Sequence, residues 1–342
     1  MNLFRVIIVY LILACLVILY TKSDIEFFGI PTSDERPFVN VFSDDGEQLK
    51  IVLLSHPFTR DSSWEQYKQY RKDGFLILGI SSYSEFPKKT TNKHDSLFNP
   101  EDKAWKNYDY MNVVEGWLHC FRDPENYIKH GIPKALISES DFCNSEVYCP
   151  DKNIEKKYDF IYLCPKDSDN NCDGWVATNK NWDLAKKCFN VLCGKYKLRG
   201  LLVGRKGCDI PKVCNGLVET TDFLSQSELI KSYRQSKFIF IPNIIDASPR
   251  IITEALCCDV PAIVNYNILG GWKYINDQTG ALFTSENDVS KSIDHVLNNK
   301  TTPRTTFLSK WGKENSGKVL KKFIEEHFSD KIDVSKHKYL KL

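Results

Sequence analysis

The chain opens on an unbroken apolar run from Val6 to Tyr20, with Arg5 before it and Lys22 after it. Beyond that run, apolar positions fall into short blocks separated by polar, turn-rich stretches. Residues 22–48 hold Pro31 and Pro37, show little periodicity and read as a stem. From Lys50 the blocks alternate in kind. "KIVLLSHP" is a short apolar run of the kind buried in a parallel sheet, and "FLILGISSY", "VVEGWLHCF" and "PKALISESDF" read as the strands that follow it. Between the first two, "SSWEQYKQYRKDG" is amphipathic and ends in glycine, which predicts a helix with a stop. A second series begins near Tyr158. Its strands are "YDFIYLCP", "RGLLVGRKG", "FIFIP", "PAIVN" and "GALF". Its helices are "NWDLAKKCFNVLCGKYK", "SQSELIKSYRQSK" with Ser225 or Ser227 as cap, "RIITEALCC" and "ENDVSKSIDHVLNN". The last forty residues, with Trp311 and "GKVLKKFIEEHF", predict terminal helices.

This strand–helix–strand rhythm, run through twice, predicts an α/β protein with two Rossmann-like, doubly wound domains. The expected organisation is a tail (1–5), a transmembrane signal anchor (6–21), a stem (22–48), an N-terminal domain (49–150), a C-terminal domain (151–302), and helices with a tail (303–342). Such a pair of domains turns the carboxyl ends of its strands toward a shared crevice, where open α/β sheets bind ligands.

Composition and charge refine this picture. The apolar run is shorter than the roughly 20 residues a span needs. Tyr10 and Tyr20 at the interfaces and a snorkelling Arg5 bring it within reach of a thin bilayer. "TKSDIEFFG" offers no small-residue cleavage site, which favours an uncleaved anchor over a cleaved signal. Arg5 lies before the run, and Lys22 is offset by Asp24 and Glu26, so the N-terminus is expected in the cytosol. The expected location is that of a single-pass type II membrane protein with its bulk in the ER or Golgi lumen. A net charge of +2 gives no electrostatic footprint for nucleic acid. Among twelve cysteines, Cys143/Cys149 and Cys208/Cys214 are close pairs that an oxidising lumen could bridge. Cys188, Cys193, Cys257 and Cys258 read as small buried hydrophobes. Without CxxC spacing, no zinc site is expected. "DSDNNCDG" places acidic residues at alternate positions but misplaces the glycine of a calcium loop, and reads as an ordinary loop. Asn299-Lys300-Thr301 is a glycosylation sequon.

The stretch from Ser236 to Asn276 carries the candidate chemistry. "FIFIP" ends at the rim where ligands sit, and Asp246, Ala247, Ser248 and Pro249 turn the chain into the helix that begins at Arg250. A helix N-terminus presents free N–H groups and the positive end of its dipole, suited to a phosphate or a sugar oxygen. Glu254, in the first turns, can accept hydrogen bonds from the vicinal hydroxyls of a ribose. Asp246, at the strand end, can hold a second sugar ring. Gly270-Gly271 offers further close backbone N–H groups. Two carboxylates flanking a helix N-terminus suit two sugars joined by a diphosphate. They equally suit a turn residue and a solvated helix face.

The pattern "SKFIFIPNIIDASPRIITEALCCDVPAIVN…GG…TGALF" resembles the C-terminal domain of the retaining nucleotide-sugar glycosyltransferases of GT-B fold called group 1. That family carries E-x7-E followed by alanine, a later proline before a strand, and a T-G. Here Asp246 and Glu254 have seven residues between them, followed by Ala255, Pro261 and Thr279-Gly280. The similarity covers roughly 158–300 and extends to "RGLLVGRKG" and "SQSELIKSYRQSK". It implies a hexosyltransferase-type enzyme with a nucleotide-sugar donor, a glycan, protein or lipid acceptor, and no cofactor or metal. It implies that Glu254 holds the ribose and that Asp246 and the backbone after it contact the donor sugar. Lys180, with Lys166 as a weaker match, and Arg250 would lie at the diphosphate, with Ser248, Pro249, Gly270 and Gly271 lining the donor. The family's usual Glu-Gly is Asp246-Ala247 here, which leaves an inactive sugar-binding relic as one alternative and an epimerase of the same fold as another. In the less similar N-terminal half, His119 falls where the family places a cleft histidine, His56 is a second candidate, and Asp141 replaces a frequent His-Asp.

Overall fold

The computed structural model describes residues 36–58, 60–82, 86–87, 110–167 and 170–342. The expected anchor (6–21) and most of the expected stem lie outside these residues. Among the described residues, no helix is long and apolar enough to cross a membrane.

The N-terminal sheet holds β1 (Phe38–Ser43), β2 (Gln48–Leu54), β3 (Leu76–Ile80), β4 (Gly116–His119) and β5 (Lys134–Leu136). The C-terminal sheet holds β6 (Tyr158–Leu163), β7 (Gly200–Val203), β8 (Val218–Thr221), β9 (Ser236–Ile241), β10 (Ala262–Asn265) and β11 (Gly280–Phe283). The last strand, β12 (Leu340–Lys341), returns to the first sheet, whose order is β12-β1-β2-β3-β4-β5. Here β2 to β5 run parallel, and β1 and β12 are antiparallel additions. Two expectations are corrected. Residues 38–43, placed in the stem, form β1, because "FVNVFS" buries Phe38, Val39 and Val41. The N-terminal sheet is not doubly wound among the described residues, because its parallel strands follow one another without reversal.

Helix α1 (Asp61–Lys72) crosses from β2 to β3. The two faces of β2 follow the two-residue period of a strand. Val52 and Leu54 pack with Phe58, Ile77 and Trp117, whereas Ile51 and Leu53 face the opposite core. Gly79 is forced to be glycine, since a Cβ there would lie 2.5 Å from the Trp117 ring.

In the second sheet, the order β11-β10-β9-β6-β7-β8 is wholly parallel and reverses between β6 and β9. Helices α2 (Trp182–Phe189), α3 (Gln226–Arg234), α4 (Arg250–Cys257), α5 (Val289–Asn298), α6 (Pro303–Leu308) and α7 (Lys313–Phe328) follow in chain order. Ser225 caps α3 with its side chain, and Glu228 reciprocates. Helices α3, α4 and α6 cover one face of the sheet, and α2 and α5 the other. Helix α7 leaves this domain to pack Leu320, Phe323, Ile324 and Phe328 against the N-terminal sheet. Disulfides join Cys172 to Cys208 and Cys193 to Cys214, correcting the expected pairs. Cys193 is therefore a bridge partner, whereas Cys143, Cys188, Cys257 and Cys258 are buried thiols.

Candidate functional site

The reversal between β6 and β9 opens a crevice at the carboxyl ends of the strands. Lys180 and Asp246 meet there. After β6 the chain makes a short helical turn, Trp175–Asn179, and the Tyr162 hydroxyl donates to the Lys180 carbonyl at 3.1 Å. After β9 the chain turns at Pro242. The Lys180 ammonium lies 2.7 Å from Asp246 Oδ2, which also accepts from Asn243 Nδ2 at 2.9 Å. Asn181 Nδ2 donates to the Pro242 carbonyl at 3.0 Å and ties the two loops together. Lys166 instead donates to the Lys206 carbonyl.

Gly270 packs under this segment rather than facing a ligand with a free donor. The Gly270 N–H donates to the Asp246 carbonyl at 2.9 Å, and a Cβ on Gly270 would sit 1.8 Å from the Ala247 carbonyl. The expected role of its N–H group as a ligand donor is thus corrected. Gly271 has φ +81° and presses against the Pro249 ring. Ser248 Oγ accepts the Ser140 N–H at 2.9 Å and so links the two domains.

Glu254 lies one turn into α4 and lines a cavity of about 270 Å³. The cavity is walled by Arg250, Thr253, Tyr148 and Gln226 on one side and by Arg36, Glu139 and Ser140 on the other. The Tyr233 hydroxyl donates to Glu254 Oε2 at 2.9 Å. Burial pushes the Glu254 carboxyl above the usual range, against the opposing effects of Tyr233, Arg250 and Tyr148. Arg36 makes a two-pronged ion pair with Glu139, both contacts at 3.3 Å, and donates to His56 Nδ1 at 3.2 Å. Arg36, Glu139, Tyr148, Tyr233 and Gln226 were not read from the sequence. Arg36 sits in a stretch without periodicity, and the others become neighbours only through the chain's return.

The structure therefore splits the expected site. Arg250 and Glu254 line the cavity, whereas Lys180 and Asp246, paired with each other, are not among its walls. His119 ends β4, is 6% exposed, and its Nδ1 has no partner. Burial, with Lys273 and Lys134 nearby, pushes His119 down to about 4. His56 is pushed down to about 3 by burial, then by Arg36 and Arg250. Both rings are neutral at pH 7. A histidine whose folded pKa is depressed favours the folded state above its unfolded value of about 6.5 and loses that preference as pH falls. The melting temperature is therefore expected to drop between about pH 6.5 and 4, and His119→Phe should flatten that decline in a pH series of melting curves.

Asp141 is fully buried at the domain boundary. Its carboxylate lies 2.5 Å from Lys273 Nζ and accepts from the Tyr274 hydroxyl at 2.6 Å. Its carbonyl accepts from the Gly312 N–H and the Ser316 hydroxyl. Among the described residues, Asp44, Asp45 and His337 are the one group of three spaced to hold a metal, and none of them lines the cavity or the crevice.

No family model matches the chain, and no curated protein matches it. Solved structures do. Sucrose-phosphate synthase from Thermosynechococcus elongatus superposes with a TM-score of 0.55 at 12% identity, over 79% of this chain and 72% of that one. The lipopolysaccharide outer core galactosyltransferase WaaB gives 0.54 at 13%, over 81% and 75%. TarM gives 0.56 at 12%, over 82% of this chain and 55% of its own. The fold is that of GT-B glycosyltransferases, two parallel-sheet α/β domains facing across a cleft.

Proposed function

We propose that the protein is a glycosyltransferase that moves a sugar from a nucleoside-diphosphate sugar to a hydroxyl of a glycan, protein or lipid acceptor, with retention at the anomeric carbon. The observation that carries this reading is the pairing of Lys180 with Asp246 at the switch point of the C-terminal sheet. Glu254, in its cavity at the start of α4, accepts the ribose hydroxyls. Arg250 and Lys180 meet the diphosphate, so the reading asks for no metal ion. Asp246, released from Lys180 as phosphate takes the ammonium, accepts from the donor sugar, and neutral His119 hydrogen-bonds the same ring. In the transfer, the bond between the anomeric carbon and the phosphate oxygen breaks. The acceptor oxygen bonds to that carbon, and its proton passes to the departing phosphate. Cations and N–H dipoles stabilise the charge on the leaving group. The apolar run from Val6 to Tyr20 anchors the protein to a membrane, with the catalytic part lumenal.

The test is a melting-temperature screen of the full chain against UDP, GDP and ADP. Binding to the native state alone raises the melting point by mass action. One nucleotide should produce a shift, and Glu254→Ala should weaken that nucleotide about 10- to 100-fold, the value of a hydrogen bond to a charged group. No shift with any nucleotide, or an equal shift in the variant, would reject the assignment.

A further inference from the structure

A second opening between the domains, of about 350 Å³, shares no lining residue with the Glu254 cavity. Its size falls within the roughly 300–1,000 Å³ of small-molecule sites. One wall is the segment 121–127, directly after β4, and the other is 266–269, directly after β10. Both walls are pinned. The Arg122 guanidinium stacks 4.3 Å from the Tyr266 ring and 4.7 Å from the Trp272 ring, and donates to the Tyr266 carbonyl at 2.7 Å. Trp272 Nε1 donates to the Cys120 carbonyl at 2.9 Å, and the Leu269 N–H donates to the Ile244 carbonyl. The rings of Phe121 and Tyr127 stack 3.7 Å apart.

Within this frame, Tyr266 is 48% exposed. Asp123, Asn126 and Asn267 line the same opening, and all three are solvent-exposed. One face of the Tyr266 ring carries Arg122, and the exposed remainder, with two amides and a carboxylate in the same lining, matches one ligand chemistry well. A pyranose offers an apolar face of C–H groups to a ring, and its equatorial hydroxyls donate to carboxylate and amide oxygens. A phosphate or an anionic lipid headgroup matches poorly. The sole cation of the lining, Arg122, is stacked on two rings and bonded to a carbonyl, and Asp123 stands beside it. The placement is also directed. The first wall starts two residues after His119, and the second ends one residue before Gly270, whose N–H holds Asp246.

We infer that this groove is an acceptor-saccharide subsite, in which Tyr266 stacks on a pyranose ring and Asp123, Asn126 and Asn267 read its hydroxyls. The acceptor assignment rests on the transferase reading, whereas saccharide binding in the groove does not. The test is saturation-transfer NMR on the full chain with chitobiose, maltotriose, cellobiose and lactose, run beside the nucleotide screen. At least one oligosaccharide should bind. Tyr266→Ala should weaken it tenfold or more, Tyr266→Phe should retain it, and the nucleotide shift should be unchanged in both variants. No binding by any of the four, or undiminished binding by a folded Tyr266→Ala protein, would overturn the inference. Saccharide binding that depends on Tyr266 in a protein that ignores every nucleotide would leave the groove standing and remove the donor reading. The converse result would do the reverse.

Discussion

Lys273→Met is expected to destabilise the protein by about 3–5 kcal/mol, the cost of leaving one partner of a buried ion pair alone. The Lys273 and Asp141 side chains are 5% and 0% exposed. Three further donors to the Asp141 carboxylate, the Tyr274 hydroxyl and the Ser138 N–H and hydroxyl, soften the loss without replacing the charge. The double variant Lys273→Met/Asp141→Asn should recover much of the stability, because it removes the orphaned charge as well as the pair. A double-mutant cycle in denaturant separates the two effects. The same pair also joins three parts of the molecule. Asp141 follows β5, Lys273 lies in the turn after β10, and the Asp141 carbonyl holds the first turn of α7. If Lys273→Met melted like the parent, the junction would owe its rigidity to packing alone.

That junction shows what the sequence could and could not reveal. Strands β6, β7, β9 and β10 were legible because each carries a short apolar run, "FIYL", "GLLV", "FIFI" and "AIV", the signature of burial on both faces. Helix α3 was legible from its cap. Strand β8 was not, because "VETT" is a half-exposed edge with no apolar run. Strand β1 was masked by Pro37 and by its polar surroundings, and β12 is two residues long. The disulfides failed for a related reason. Cys208 and Cys214 are neighbours in sequence, but each bridges to a cysteine 36 or 21 residues away. Only the sheet order brings those segments together. Likewise, the spacing of Asp246 and Glu254 marked both residues but not their division between crevice and cavity. A spacing along the chain does not say which way a side chain turns once α4 begins. Arg36 and Glu139 enter the cavity from the other domain, a distance that no local pattern spans.

Lys180→Ala is expected to lower transfer about 10²- to 10³-fold, the usual effect of removing one group that stabilises developing charge in a closed site. The argument starts from the resting contact. Lys180 is 23% exposed and its ammonium already rests on Asp246 at 2.7 Å, so its position is set before any ligand arrives. On the proposed transferase reading, a diphosphate entering between β6 and β9 offers a stronger anion than a single carboxylate, and the ammonium is expected to transfer to it. Asp246 is then free to accept from a sugar hydroxyl, with Asn243 keeping it in place. One residue thus couples phosphate binding to the readiness of the sugar site. The signature is selective. Affinity for the nucleoside diphosphate should fall in Lys180→Ala, while affinity for the bare nucleoside, which the same reading assigns to Glu254, should not change. Lys180→Arg should restore part of the rate, because it keeps the charge at a slightly different reach. Equal losses of nucleoside and nucleotide would instead mean that the substitution had collapsed the crevice, and an unchanged rate would take the diphosphate away from Lys180 altogether.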